Sequence, residues 1–273
     1  MSDGPQTDVL RAARIVCGVD GTRASALAAA QAVVLTKAHE ATLAFVAITD
    51  ARGDGPTAMA TLSPERAREA LDAARREAAE AGVDAEVELV HDEDVDGALL
   101  ARGDAADLVV AGAPVGTRTG GILLGRTATT LLHRSRVPVM VARRPPDDAP
   151  FPQRLLVATD GSDGSDRAVE LAASIARAHG AAVGIVHAGS LADAERRRRM
   201  SEQSVALADA TGTEPTWIEE PEHGPDGIVA AARSWRAALL VVGARGVTGL
   251  RALGSVSERV AHQAPCSTLV ARD

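Results

Sequence analysis

Two stretches of this chain carry residue types and spacings that could do chemistry, and each occurs twice. The first is an acid followed by glycine and a hydroxyl residue, Asp20-Gly21-Thr22 and again Asp160-Gly161-Ser162, directly after a short apolar run. A carboxylate so placed could accept from a ribose hydroxyl or an adenine amine. The second is a glycine-rich loop that runs into a helix-period segment. One copy carries Gly112, Gly116 and Gly125 followed by Arg126 and Thr127; the other carries Gly243, Gly246 and Gly254 followed by Ser255 and Val256. Such a loop aims backbone N–H groups and the positive end of a helix dipole at one point, which suits an anion and above all phosphate. Glycines let the backbone approach closely, Ser255 adds a hydroxyl donor, and Arg126 with Thr127 could supply a charged contact and a hydroxyl. Tight turns and helix caps without any ligand are the alternative on spacing alone.

The elements that must hold these stretches follow from a repeat. Asp20, Gly21, Ser25 and His39 align with Asp160, Gly161, Ser165 and His179 at one constant offset, and the later run from Asp107 to Ala113 aligns with the run from Ala238 to Ala244. A repeat this long means duplicated domains, not a solenoid. Pro145, Pro146, Pro150 and Pro152 mark a linker at 143–153, which sets the domains at 1–142 and 154–273. In each half five short apolar runs alternate with helical periodicity. Ile15–Val19, Leu43–Ile48, Ala85–Val90, Leu108–Ala111 and Val137–Val141 are the strands expected in the first half. Leu155–Ala158, Ala182–His187, Thr216–Ile218, Leu239–Val242 and Ser267–Val270 are those of the second. Ala168, Leu171, Ala172 and Ile175 fall on one helix face, and Leu191–Ala210, Asp226–Trp235 and Val256–His262 read as further helices. Apolar runs without alternation suit strands covered on both faces. The expectation is α/β: two tandem, doubly wound, five-stranded parallel sheets, with ligands outside the carboxyl ends of the strands where strand order reverses.

Composition removes whole classes of function. The formal net charge is -8, with 29 basic and 37 acidic residues, which argues against a nucleic-acid or anionic-membrane binder. Two Phe, two Trp and no Tyr leave no base-stacking surface. Lys37 is the one lysine, in Leu35-Thr36-Lys37-Ala38, so a Walker loop, a kinase lysine and a Schiff-base lysine are all excluded. Cys17 and Cys266 are too few for a disulfide framework and read as small buried hydrophobes. No signal-peptide core and no long apolar run appears, so a soluble, cytoplasmic protein is expected, with no membrane as partner.

The residues converge on a family. Asp-Gly-Ser after the first strand, the run from Val241 to Gly246 after the fourth, the run from Gly254 to Val260, and Ala264-Pro265-Cys266 before the last strand resemble the universal stress protein family. The resemblance covers both halves, in the tandem arrangement of actinobacterial members. It implies strand order 3-2-1-4-5, an adenine-nucleotide α-hydrolase-like fold, and ATP or a related adenine nucleotide as ligand, any Mg2+ riding on the phosphates. It also implies a pairing of domains through their last strands, here between the halves of one chain, with a homodimer as a further option. The family pattern is Gly, two residues, Gly, nine residues, Gly, then Ser or Thr. The second half keeps Gly243, Gly246, Gly254 and Ser255 but has only seven residues between Gly246 and Gly254. The first half keeps the span from Gly112 to Gly125, with Val115 where the second glycine belongs, Gly116 beside it, and Arg126 in place of the hydroxyl residue.

The remaining candidates have plainer readings. His39 and His179 sit where a cation favours a helix C-terminus. The other histidines show no metal-ligand spacing. Arg196 to Arg199 point around a whole helix circumference and read as a solvated face. Ser162 or Ser165 reads as an N-cap, not a nucleophile. Asp92, Glu93, Asp94 and Asp96 form an acidic cluster opening a helix. Three functions stay open: nucleotide binding without efficient catalysis, a slow ATPase drawing on Arg245 or Arg126, and a nucleotide-free interaction module.

Overall fold

The computed structural model describes residues 8–49, 62–92, 94–113, 117–118, 121–122, 124–145, 149–187, 193–220, 224–244 and 253–272. The chain forms two compact units, Ala12–Arg143, and Arg144–Asp273 together with the N-terminal residues up to Arg11. Within the latter unit, the Ser174 hydroxyl donates to the Asp8 carboxylate and Leu10 is buried. The N-terminal residues thus group with the second half rather than the first.

The first unit contains β1 (Arg14–Gly18), α1 (Arg23–His39), β2 (Thr42–Thr49), α2 (Pro64–Glu80), β3 (Ala85–His91), α3 (Val95–Gly103), β4 (Leu108–Gly112), β5 (Thr117–Arg118), β6 (Gly121–Ile122), α4 (Arg126–Arg134) and β7 (Val139–Ala142). Its sheet has the order β7-β4-β1-β2-β3, with every neighbour parallel. The second unit contains β8 (Arg154–Thr159), α5 (Asp163–His179), β9 (Ala182–His187), α6 (Ala194–Thr211), β10 (Thr216–Ile218), α7 (Gly224–Ser234), β11 (Leu239–Gly243), α8 (Ser255–Gln263) and β12 (Ser267–Ala271). The order there is β10-β9-β8-β11-β12, again parallel throughout. Both are the expected 3-2-1-4-5 arrangement, and the order reverses between β1 and β4 and between β8 and β11.

The central strands explain the class. Leu108, Val109 and Val110 are fully buried, as are Leu239, Leu240 and Val241; consecutive buried residues require cover on both faces of the sheet. The first helix of each unit is fixed at both ends by its own sequence. Thr22 caps α1 by accepting from the Ser25 N–H, and Ser162 does the same for α5 from Ser165. Each ends on a left-handed residue, Glu40 in one copy and Gly180 in the other, with His39 or His179 in the last turn. Those histidines stand where the dipole favours positive charge. Among the described residues, no helix is long and apolar enough to cross a membrane.

The unforeseen element lies in the first glycine-rich loop. Thr117–Arg118 and Gly121–Ile122 pair antiparallel, a two-stranded hairpin apart from the main sheet.

Candidate functional site

The two stretches singled out by their chemistry come out at adjacent strand ends in each unit, on either side of the point where strand order reverses. Asp20 follows β1 and Gly112 ends β4; Asp160 follows β8 and Gly243 ends β11.

The acid turns are built alike. Asp20 Oδ1 accepts from the Thr22 N–H at 2.9 Å and from the Thr22 hydroxyl at 2.6 Å. Asp160 Oδ1 accepts from the Ser162 N–H at 3.1 Å and from its hydroxyl. Gly21 and Gly161 follow with φ of +76° and +72°, the left-handed region that a side chain disfavours. One carboxylate oxygen therefore shapes the turn, while Oδ2 makes no hydrogen bond among the described residues and is available to a ligand donor.

What lies behind each turn differs. In the second unit the Thr159 hydroxyl donates to Gln203 Oε1 and accepts from the Gly161 N–H at 3.1 Å. Gln203 Nε2 donates to Ser165 Oγ at 2.9 Å and to the Asp166 carboxylate. Thr159, Ser165 and Gln203 are all buried. Arg199, one turn earlier on α6, pairs with Asp163 at 2.9 Å and also with Asp166; these carboxylates, Asp163 first, raise the guanidinium pKa above its ordinary value. The arginine run is thus not uniformly solvated, since Arg199 ties α6 to α5 while Arg198 pairs along its own helix with Glu195 and Glu202. In the first unit Val19 stands in place of Thr159, and a Cβ on Gly21 would lie 3.7 Å from Ala70 of α2.

The first glycine of each loop has a packing cause of its own. A Cβ on Gly112 would lie 2.4 Å from the carbonyl carbon and oxygen of Ala24, and one on Gly243 would lie 2.4 Å from the Gly164 oxygen. The opening turn of α1 or α5 presses on that strand end, so only glycine fits. Gly116 and Gly246 lie outside the described residues. At the far side of the second loop, the Gly254 N–H donates to Ala244 O at 2.7 Å and the Ser257 hydroxyl to Gly243 O at 2.5 Å. The loop leaves and returns through one neck.

Both loops deliver a helix that begins on glycine. Gly125 caps α4 and Gly254 caps α8, neither with a side-chain hydrogen bond. By contrast α1, α2, α3, α5 and α6 each have a capping side chain, Thr22, Ser63, Asp94, Ser162 and Asp193. The first N–H groups of α4 and α8 thus receive no side-chain cap from the residue before them, the condition an anion exploits. Ser255 is exposed at the first position of α8, and its hydroxyl makes no hydrogen bond among the described residues; Val256, next to it, is half-buried.

Arg126 and Thr127 are placed otherwise. Thr127 Oγ1 donates to Asp96 Oδ1 at 2.7 Å, and Arg126 Nε lies 3.0 Å from Asp96 Oδ2. Asp96, on α3, is therefore a residue of the site and not only part of an acidic cap. The cluster opens a helix as expected, with Asp94 as the N-cap of α3, and Glu93 lies outside the described residues. The signal for Asp96 was in the repeat: Asp96-Gly97 recurs as Asp226-Gly227, where Asp226 pairs with Arg259 of α8 at 3.2 Å. Cys17 and Cys266 are buried. Burial pushes the Cys17 thiol well above its ordinary pKa, with Asp20 adding to the effect, so it is no nucleophile.

Comparison with known proteins matches this architecture throughout. The Universal stress protein family matches twice, over residues 12–143 and 152–272. A universal stress protein of Mycolicibacterium smegmatis is 26% identical over 300 residues, covering 94% of this chain and 96% of its own length. One from Thermus aquaticus is 30% identical over 135 residues, 43% of this chain and 97% of that protein. The crystal structure of a universal stress protein from Archaeoglobus fulgidus superposes with a TM-score of 0.76 at 22% identity, covering 97% of this chain and 98% of that one. The chain belongs to the universal stress protein family and carries two of its domains.

Proposed function

We propose that this chain is a cytoplasmic stress-response protein that binds ATP or a related adenine nucleotide at the carboxyl ends of its strands, without efficient catalysis. The observation that carries this reading is the start of α8. It follows a glycine-rich loop closed at its neck by Gly254 and Ala244, has no side-chain cap, and offers the exposed Ser255 hydroxyl. The phosphates would meet Ser255 and the opening N–H groups of the helix. Asp160 Oδ2, at the neighbouring strand end, would accept from the ribose or the adenine amine, and the Ser162 contacts hold that carboxylate in orientation. A magnesium ion would be carried by the phosphates and water. The family resemblance in Gly243, Gly246, Gly254 and Ser255 supports the same assignment, and the net charge of -8 disfavours nucleic acid as the ligand. Filling the cradle needs only a conformational consequence to act as a signal.

The test is nucleotide content. Protein purified gently, denatured and analysed by mass spectrometry should release adenine nucleotide, and ATP should bind by calorimetry. Gly246→Ala and Ser255→Glu should each weaken that binding at least tenfold, and labelled ATP should remain unhydrolysed over hours. Absence of both co-purified nucleotide and titratable binding would defeat the reading and leave a protein acting through its surfaces.

A further inference from the structure

We infer that Asp96 is a specificity-determining residue that makes the first half reject the phosphate chain its glycine-rich loop would otherwise accept. The inference rests on the nucleotide reading above and divides the two halves.

The start of α4 already holds an anion. Asp96 is 8% exposed, and its carboxylate takes two donors from the opening of α4, Thr127 Oγ1 at 2.7 Å and Arg126 Nε at 3.0 Å, and a third from one turn further on, Thr130 Oγ1 at 3.4 Å. The Thr127 hydroxyl that could have met a phosphate at this helix start is committed to a carboxylate of the same chain, and the exposed Arg126 gives its Nε to that carboxylate. A buried charge is poorly screened, so a phosphate arriving at the first turn of α4 meets a fixed like charge and a guanidinium that is already shared.

The second half has the same acid and a different outcome. Asp226 corresponds to Asp96 through the repeated Asp-Gly pair, but its side chain is 51% exposed and pairs with Arg259 at 3.2 Å. Arg259 is the fifth residue of α8, so the pair sits beyond the opening residues. Ser255 and Val256 stand where Arg126 and Thr127 stand in the first half, and neither is drawn to a carboxylate. The first copy has thus replaced an open hydroxyl by an arginine whose charge neutralises an internal acid. The discriminating chemistry is charge: a nucleoside polyphosphate is accepted by the second half and refused by the first.

The deciding experiment counts ATP bound per full-length chain by equilibrium dialysis with labelled ATP. The wild-type chain is expected to saturate near one. Asp96→Asn keeps the side-chain shape and an acceptor for Thr127 while removing the charge and freeing Arg126. It should raise affinity at the first half at least tenfold and bring saturation near two at the same ATP concentration. Ser255→Glu should bring the wild-type chain to near zero, and the double variant should bind about one. Circular dichroism on each variant separates lost binding from lost fold. Saturation at two in the wild type, or one unchanged by Asp96→Asn with the fold intact, overturns the inference while nucleotide binding stands. No ATP on the wild type and none on Asp96→Asn overturns the nucleotide reading itself, and this inference with it.

Discussion

The two halves share one fold and one pair of loops, yet each locks a different loop with buried polar chemistry. In the second half the lock lies behind the acid turn, where Thr159, Ser165 and Gln203 are buried and mutually hydrogen-bonded and Arg199 braces α6 against Asp163 and Asp166. In the first half that place is taken by Val19 and by alanines of α2, with Ala70 facing Gly21. The lock there lies at the opposite loop, where Asp96 gathers Thr127, Thr130 and Arg126. A buried polar network stabilises only when every member is satisfied, and it fixes geometry in doing so. Duplication has thus left each half with one braced element and one open one: a braced α4 start and an open Asp20 turn in the first, a braced Asp160 turn and an open α8 start in the second. A ligand that needs both loops meets two different surfaces.

Changes at equivalent positions test where the halves are alike and where they part. The largest effect belongs to what they share. Gly243→Ala would place a methyl 2.4 Å from the Gly164 oxygen, and Gly112→Ala one 2.4 Å from Ala24. Both obstacles are backbone, so the helix must move; each substitution should cost about 3 kcal/mol of its own half. The readout can be local, because Trp217 and Trp235 are the chain's two tryptophans and both lie in the second half. Gly243→Ala should shift the tryptophan-detected denaturation midpoint, whereas Gly112→Ala should shift a far-ultraviolet circular dichroism transition and leave the tryptophan one in place. Equal movement of both signals by either variant would show that the halves unfold as one unit. Next comes Gln203→Leu, which removes the acceptor of the buried Thr159 hydroxyl and a donor to Ser165, while the half-exposed Asp166 keeps its pair with Arg199. A buried group left without its partner costs about 1–3 kcal/mol, and the tryptophan-detected stability should fall by about 2 kcal/mol. Behind the first half's turn the buried Ser25 hydroxyl accepts from the Asp20 N–H and donates to Thr22 O, with no glutamine joined to it among the described residues, so a stability loss confined to the circular dichroism signal would contradict the assignment.

Much of this could be read from residue order, and the misses have physical causes. The strands were visible because Leu108 to Val110 and Leu239 to Val241 are apolar without interruption, and the acid turns because Asp20 and Asp160 recur at a fixed offset. Gln203 has a trace in the sequence: it lies between Met200 and Leu207 on the buried face of α6, a polar residue on an apolar stripe. Arg126 and Thr127 looked free because nothing local competes for them; their partner lies about 30 residues earlier and meets them only when α3 packs beside α4. The hairpin of β5 and β6 has two residues per strand and no apolar alternation, so neither period stands out. Residues 8–11 look like the start of the first domain because the chain runs on into β1, whereas Asp8 finds its partner at Ser174, a pairing that sequence distance hides.

The smallest expected effect separates the halves by pH. Cys17 lies on β1, and its counterpart on β8 is Val157. In the fold the thiol is fully buried and donates weakly to Gly18 O at 3.8 Å, and burial, with Asp20 adding, holds its pKa far above the ordinary value. A group whose folded pKa is raised contributes its full stability below the unfolded pKa, here about 8.5, and loses it as pH rises, because only the unfolded chain can release the proton. By pH 9.5 that loss should reach about 1.4 kcal/mol. The first half should therefore weaken at alkaline pH through a group that its copy replaces with a hydrocarbon. Cys17→Val, which installs the second half's residue, should flatten the pH dependence of the circular dichroism transition between pH 7.5 and 9.5 whatever it does to stability at neutral pH. An unchanged slope would place the alkaline sensitivity elsewhere and remove Cys17 from the differences that matter between the halves.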